Sequence, residues 1–422
     1  MCIINVQRPC FTSSKEIFNQ FITFIVIIFG SWLKFLIFVQ LSQTIIIMKK
    51  LIPFLLALCL ASCSEQKSAE DIFAETSSGV VVVLNEFYYQ MRLPNGNNVY
   101  FTGIGDDGSL QGFTDNVTDA ANNPGMLTGT AFFIKDDGTL LTNRHVVDPV
   151  IDRDMAKRSM RSIIKSISDY ITAYMQQLSY QYDSLEQEKT NCQSYDDYGN
   201  TYTDYDKLNN ITNQQTDLQQ EYSNASSSRD NVLNNLDISD VPITAVCKIG
   251  IAYNNTFVTT DKDFIDKNPC VVTQVSDKDD VDLALLELKD KKTPSDAYIF
   301  KFAGDKDDES FMDKMKGWFS SKNDNDGKIT IDQQLYMMGY NAGLVLANTK
   351  QGIKVQMTSG KVTQLPDGQR LLYSIPTMKG SSGSPVLDEY GKVVAVNFAK
   401  LNGTDNFNFG IPLDRIKEFL KK

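Results

Sequence analysis

The sequence predicts a mainly β fold, an antiparallel sandwich or barrel, with one α-helical hairpin set into it and a short helix at its end. Two observations carry this. Short apolar runs recur along the chain, each broken by Gly, Asn or Asp, as in many short strands joined by turns. One long polar stretch departs from that texture: its apolar residues step by three and four, the spacing of paired amphipathic helices. The composition fits a folded protein. Of 422 residues, 42% are hydrophobic and 22% charged, enough chain for two compact domains. A net charge of −11 argues against nucleic acid as a partner. The single histidine excludes a multi-histidine metal site and any chemistry that needs two imidazoles. No metal-ligand spacing occurs, and no cofactor is expected.

From the N-terminus, FITFIVIIFGSWLKFLIFVQ (residues 21–40) is long enough to span a bilayer, apart from Lys34. A second apolar stretch opens at Met48. Lys49 and Lys50 give it a basic start, residues 51–61 a short apolar core, and Leu60-Ala61-Ser62-Cys63 a small-residue end, which is the shape of a secretory signal. It resembles a bacterial lipoprotein signal, in which the cysteine of such a box is lipidated and becomes the first residue. The resemblance implies a signal peptide over 48–62 and a lipid on Cys63 that holds the protein to a membrane of the cell envelope. Ser64 in place of an aspartate points to the periplasmic face of a Gram-negative outer membrane. If Met48 is the start, residues 1–47 are an upstream extension that is not made; otherwise they carry a hydrophobic anchor. Either way the body of the chain lies outside the cytoplasm. Of the seven cysteines, Cys192, Cys247 and Cys270 remain beyond Cys63. An odd set in an oxidising compartment allows one bridge and one free thiol. Cys247 and Cys270, both in strand-like runs, are the candidates, and their pairing is open.

Residues 63–77 are polar and read as a tether. The folded domain spans 78–422. Its strands are expected at 80–91, 129–135, 139–142, 244–253, 271–275 and 282–288, then at 334–338, 352–362, 370–375, 392–398 and 407–411. PLDRIKEFLKK closes the chain as an amphipathic helix with basic residues in its last turn. The hairpin insertion is placed at 153–236. On its first arm Met160, Ile164, Ile167, Ile171, Tyr174, Leu178, Tyr182 and Leu185 form a seam. On its second arm the seam runs through Leu208, Ile211, Gln215, Leu218, Tyr222, Ala225, Arg229, Val232 and Leu236. The arms are expected to pack on each other and leave the β domain independent of them. They are a spacer, or a docking surface for a partner or a second copy.

The lone histidine, His145, stands in GTAFFIKDDGTLLTNRHVVD. Asp282 opens the apolar run of DVDLALLEL. Ser382 lies in KGSSGSPVLDEYGKVVAVNFAK. These three motifs, in the order His, Asp, Ser, resemble those of trypsin-like serine proteases, nearest to secreted bacterial HtrA/Deg-type enzymes and glutamyl endopeptidases. The resemblance implies two antiparallel β-barrels carrying the helical (coiled-coil) hairpin and the C-terminal helix. It also implies a serine endopeptidase acting on protein or peptide substrates. A serine hydroxyl is a weak nucleophile at neutral pH and needs an adjacent base. His145 would take the proton of Ser382, and Asp282 would hold the imidazole in the right tautomer. The family pattern implies an oxyanion hole from the N–H groups of Gly380 and Ser382. The gap between His145 and Asp282 exceeds that of relatives, and the hairpin accounts for the excess.

The same resemblance bears on specificity. No acid occurs in residues 371–380, which argues against a trypsin-like preference for Arg or Lys. Thr377 matches a threonine that binds the substrate carboxylate in glutamyl endopeptidases. Asn397 stands where those enzymes place a histidine. Thr377 and Asn397 are therefore the expected pocket residues, with a small or medium apolar P1 side chain. The alternative function is a non-catalytic binding or scaffold lipoprotein on the same fold, recognising partners through the hairpin. Two further patterns carry no site. Residues 103–108 fit GxGxxG but lack a βαβ setting and read as a β-turn. NDNDGKITI (residues 323–331) lacks the key acids of a calcium loop.

Overall fold

The computed structural model describes residues 66–305, 328–400 and 408–421, together with positions 19, 22, 29 and 30. The expected signal peptide at 48–62, Cys63, most of the hydrophobic segment at 21–40 and residues 323–327 lie outside the described residues. Among the described residues no helix is long and apolar enough to cross a membrane.

Part of the expected tether is ordered. Ala69–Thr76 is a helix, capped by Ser68, whose hydroxyl accepts from the Asp71 N–H, with Glu70 and Asp71 in the first turn. Ile72 is fully buried in it. The polar face dominates the sequence here, which is why the segment reads as a linker.

The first barrel opens on β1 (Val80–Arg92), a run of β-branched and aromatic residues. β2 (Asn98–Phe101) folds back on its far end. β3 (Gly103–Ile104) and β4 (Leu110–Gln111) make a small ribbon, turned through the expected β-turn at Gly105–Gly108. β5 (Gly125–Phe133) and β6 (Thr139–Thr142) follow. β7 (Gln193–Tyr195) and β8 (Thr201–Thr203) form a ribbon at the far end of the helical hairpin. β9 (Ile243–Tyr253), β10 (Pro269–Val275) and β11 (Ala284–Leu288) complete the barrel. The order β1-β5-β6-β11-β10-β9 returns to β1 along an antiparallel register from Val81 opposite Tyr253 to Met91 opposite Ile243.

The second barrel begins with β12 (Gln334–Gly339). β13 (Asn348–Thr349) and β14 (Gly352–Ile353) are a side ribbon. β15 (Gln356–Gln364), β16 (Leu371–Tyr373), β17 (Pro385–Leu387), β18 (Val393–Lys400) and β19 (Asn408–Pro412) close it in the order β12-β15-β16-β19-β18-β17. Both barrels are six-stranded and antiparallel. The final helix, Leu413–Leu420, buries Ile416 and Phe419, and the Phe419 carbonyl accepts from Gln274 of the first barrel.

Strand alternation sorts β1 between two cores. Val81 and Val83 point into the first barrel with Phe133, Leu140 and Ile251. Val80, Val82 and Leu84 point the other way, onto Met338, Tyr340, Leu387 and Ile411 of the second barrel. The barrels therefore share one apolar interface, and motifs from both can meet at its edge.

The hairpin consists of Arg153–Thr190 and Tyr205–Leu233. The longer arm rises roughly 57 Å at 1.5 Å per residue. Its seam shifts one position from the heptad expectation: Ile167 and Tyr174 are exposed, while Ser168 and Met175 are buried. A straight helix of 3.6 residues per turn drifts against a seven-residue repeat, which moves the stripe. Gln215 sits buried in the seam, donating to the Glu186 carboxylate at 2.9 Å. The expectation of an independent finger needs correction. Ala156, Met160 and Ile164 at the root pack with Tyr89, Met91 and Phe101 of β1 and β2, and with Ile238 and Ile243. The root is a core of its own, shared with the first barrel.

Cys247 and Cys270 are both free thiols. Burial pushes the Cys270 thiol up to about 12 and raises Cys247 as well. Both stay protonated near neutral pH, the unreactive form.

Candidate active site

His145 is delivered by β6. The strand ends at Thr142, and the chain turns at Asn143 into the short helix Arg144–Val147, whose Val146 and Val147 sink into the first barrel. That anchoring leaves the imidazole at the surface, about a third exposed. Asp282 comes from the other side, two residues before β11, which pairs with β6. The pairing brings the two together across 137 residues of chain. One Asp282 oxygen lies 2.6 Å from His145 Nδ1, and the other accepts the His145 backbone N–H at 2.9 Å. Asn143 donates to the Asp282 carbonyl at 2.7 Å. The carboxylate is thereby fixed at both ends and fixes the ring in turn, with the other ring nitrogen left for a substrate or nucleophile.

Around this pair lies a cleft of about 520 Å³, walled by Tyr89, Asp148, Ile151, Arg153 and Val281. Arg144 stands in it between Asp148 at 3.5 Å and Asp279 at 3.9 Å. Ile151 lies just before the hairpin and Arg153 opens it, so the finger root borders the His145 cleft.

The 378–384 loop belongs to the second barrel and precedes β17. Of its three serines, Ser381 and Ser384 are buried. Ser381 Oγ donates to the Met378 carbonyl at 2.7 Å, and Ser384 Oγ has no partner. Ser382 is half-buried, and its hydroxyl makes no hydrogen bond among the described residues, including to His145. The loop needs its glycines. Gly380 has φ +97° and Gly383 φ +86°. A Cβ on Gly380 would lie 2.4 Å from the Tyr340 carbonyl oxygen, and one on Gly383 would lie 2.0 Å from that of Thr130. Among the described residues the N–H groups of Gly380 and Ser382 find no acceptor, whereas those of Ser381, Gly383 and Ser384 do. Two donors left open beside an unengaged serine hydroxyl can bind a negative oxygen.

Thr377 and Asn397 are both buried. Thr377 Oγ1 donates to Asn408 Oδ1 at 2.7 Å. The Asn397 amide donates to the Ser381 carbonyl at 3.0 Å, and its oxygen accepts from the Tyr373 hydroxyl at 2.8 Å. Burial holds that phenol well above its ordinary value, so it remains a donor. Their polar atoms are committed to the barrel wall, and they shape its lining. Sequence reasoning missed Asn408 and Tyr373, the partners that tie up these side chains; neither stands in a motif that would mark it.

Residues 245–396 match the family model of the trypsin-like peptidase domain. The match takes in Asp282 and Ser382 but begins after His145, which the hairpin separates from the rest. No curated protein matches the chain by sequence. Among solved structures, the chain is similar to the Rv3671c protease of M. tuberculosis H37Rv in the inactive form of a serine-to-alanine mutant. There the identity is 12%, with 84% of this chain and 90% of that chain covered and a TM-score of 0.33. The active form of the M. tuberculosis protease gives 13%, 83% of each chain and 0.35. The serine endoprotease from Yersinia pestis gives 10%, 84% of this chain, 66% of that chain and 0.36.

Proposed function

We propose, from the trypsin-like peptidase domain at 245–396, that this protein is a serine endopeptidase working through His145, Asp282 and Ser382. The observation that carries the reading is the grip of Asp282 on His145 by both carboxylate oxygens, at 2.6 and 2.9 Å. That grip sets Nδ1 as the protonated nitrogen and Nε2 as the base. In the reaction, Ser382 Oγ attacks the scissile carbonyl while its proton passes to His145 Nε2. The tetrahedral oxyanion is held by the N–H groups of Gly380 and Ser382. His145 then gives the proton to the leaving amine, forming an acyl ester on Ser382, and a water activated by the same imidazole releases it. The open Ser382 hydroxyl suits this role, since catalytic hydrogen bonds tighten when substrate arrives. A pocket wall of uncharged, internally bonded Thr377 and Asn397 favours small or medium apolar P1 side chains.

The basic start at Lys49 and Lys50 and the Leu60-Ala61-Ser62-Cys63 box support a further part of the proposal, a lipid anchor on Cys63 at the periplasmic face of the outer membrane, with the hairpin available to protein partners or a second copy. One intact-mass experiment on protein extracted from its native membrane tests both halves. The expected mass is that of a chain starting at acylated Cys63, increased by one phosphonyl group after treatment with a fluorophosphonate. A chain that keeps residues 1–62 removes the anchor. A chain that takes no phosphonyl group while folded favours the binding-protein alternative.

A further inference from the structure

We propose that Thr130, in the opposite barrel, is the positioning residue that sets the oxyanion-binding N–H pair of Gly380 and Ser382. The proposal rests on the reading of Ser382 as nucleophile. Thr130 lies in β5 and is fully buried. Its backbone N–H donates to the Ser382 carbonyl at 2.8 Å. Its hydroxyl donates to the Gly380 carbonyl at 2.9 Å and accepts from the Tyr340 N–H at 3.1 Å. Its own carbonyl accepts from Thr142 Oγ1 at 2.7 Å, which ties the arrangement back into the first barrel.

The direction of the hydroxyl bond is forced. An N–H can only donate and a carbonyl can only accept, so the single hydroxyl proton points at Gly380. One residue thus holds the carbonyls of both amino acids whose N–H groups stay open. Fixing a residue's carbonyl fixes its ψ. At Gly380 this matters most, because a glycine at φ +97° has no side chain to limit rotation. Without the hydroxyl, the Gly380–Ser381 peptide plane can rotate about the Gly380 ψ bond, and the Gly380 N–H, in the preceding plane, loses its fixed orientation relative to the Ser382 N–H. Valine has nearly the shape of threonine but no proton to give. Thr130 touches no reacting atom; it acts through the loop.

The test compares Thr130→Val and Thr130→Ser with the parent protein on a short peptide substrate and on a peptidyl trifluoromethyl ketone, whose serine adduct bears an oxyanion. For Thr130→Val, kcat is expected to fall about 10²-fold, the usual effect of one oxyanion donor, with KM within about threefold. Ketone affinity should fall by a similar factor. Thr130→Ser restores both. Hydrogen exchange over residues 376–385 is expected to quicken in Thr130→Val and not in Thr130→Ser, a readout that needs no turnover. The proposal is overturned if Thr130→Val keeps kcat within about threefold in an active parent, if serine fails to rescue, or if exchange in the loop is unchanged. A parent that neither cleaves nor labels overturns the hydrolase reading itself, which separates the two failures.

Discussion

If the proposed triad holds, Ser382→Ala and His145→Ala are each expected to lower peptide turnover by at least about 10⁴-fold, with the double variant scarcely slower than either alone. The reason is that nucleophile and base act as one device: without the hydroxyl the imidazole has no proton to take, and without the imidazole the hydroxyl stays weak. Asp282→Asn falls in the same range of about 10⁴-fold, by another route. The amide presents a donor to either Nδ1 or the His145 N–H, both of which are now held by carboxylate oxygens, and the ring loses the tautomer that makes Nε2 a base. Steady-state kinetics with circular dichroism on the same samples checks this. Turnover that persists in Ser382→Ala but vanishes in Ser384→Ala moves the nucleophile, against the burial of Ser384.

The second large effect concerns the finger. Excising residues 155–236 is expected to destabilise the first barrel severely, whereas excising only 169–228 leaves stability near that of the whole protein. The outer arms meet mainly each other, through pairs such as Tyr174 with Glu221 and Gln215 with Glu186. Closing them with a short Gly/Ser loop costs little chain entropy. The root is different. Met160 and Ile164 are 3% exposed and share a core with Tyr89, Met91, Val99 and Phe101. Met160→Ala and Ile164→Ala should each cost about 2–5 kcal/mol, read by urea unfolding. Equal stability of the two deletions would mean that the root core contributes nothing to the barrel. Short-peptide cleavage should survive the outer deletion, since Ile151 and Arg153 beside the His145 cleft remain in place.

What the sequence reveals follows the range of the forces involved. The strings around His145, Asp282 and Ser382 stand out locally because the proposed chemistry dictates their residue types, and the fold brings the first two to 2.6 Å. The helical arms were legible from local periodicity, as was β1 from its continuous β-branched run. The finger root was not, because its partners Tyr89, Met91 and Phe101 precede it by more than fifty residues and nothing local marks them. β17 was hidden for a related reason: Pro385 and the glycine-rich loop before it look like turn, and only its registers with β12 and β18 make Val386 and Leu387 a strand. The expected strand at 352–362 is split, since Ile353 pairs back with Asn348 before β15 begins. Nor could the string GTAFFI disclose that the hydroxyl of Thr130 reaches the Gly380 carbonyl. That contact exists only after two barrels have closed and met over Val80, Val82 and Tyr340.

The most direct measurement is to trap the covalent intermediate. The protein is mixed with an activated ester substrate, quenched in acid within the first turnovers, digested and sequenced by mass spectrometry. An acyl group on Ser382, present in the parent and missing from His145→Ala, is the predicted result. A folded parent that turns over the ester with no acyl group on Ser382, or with the group on another residue, contradicts it.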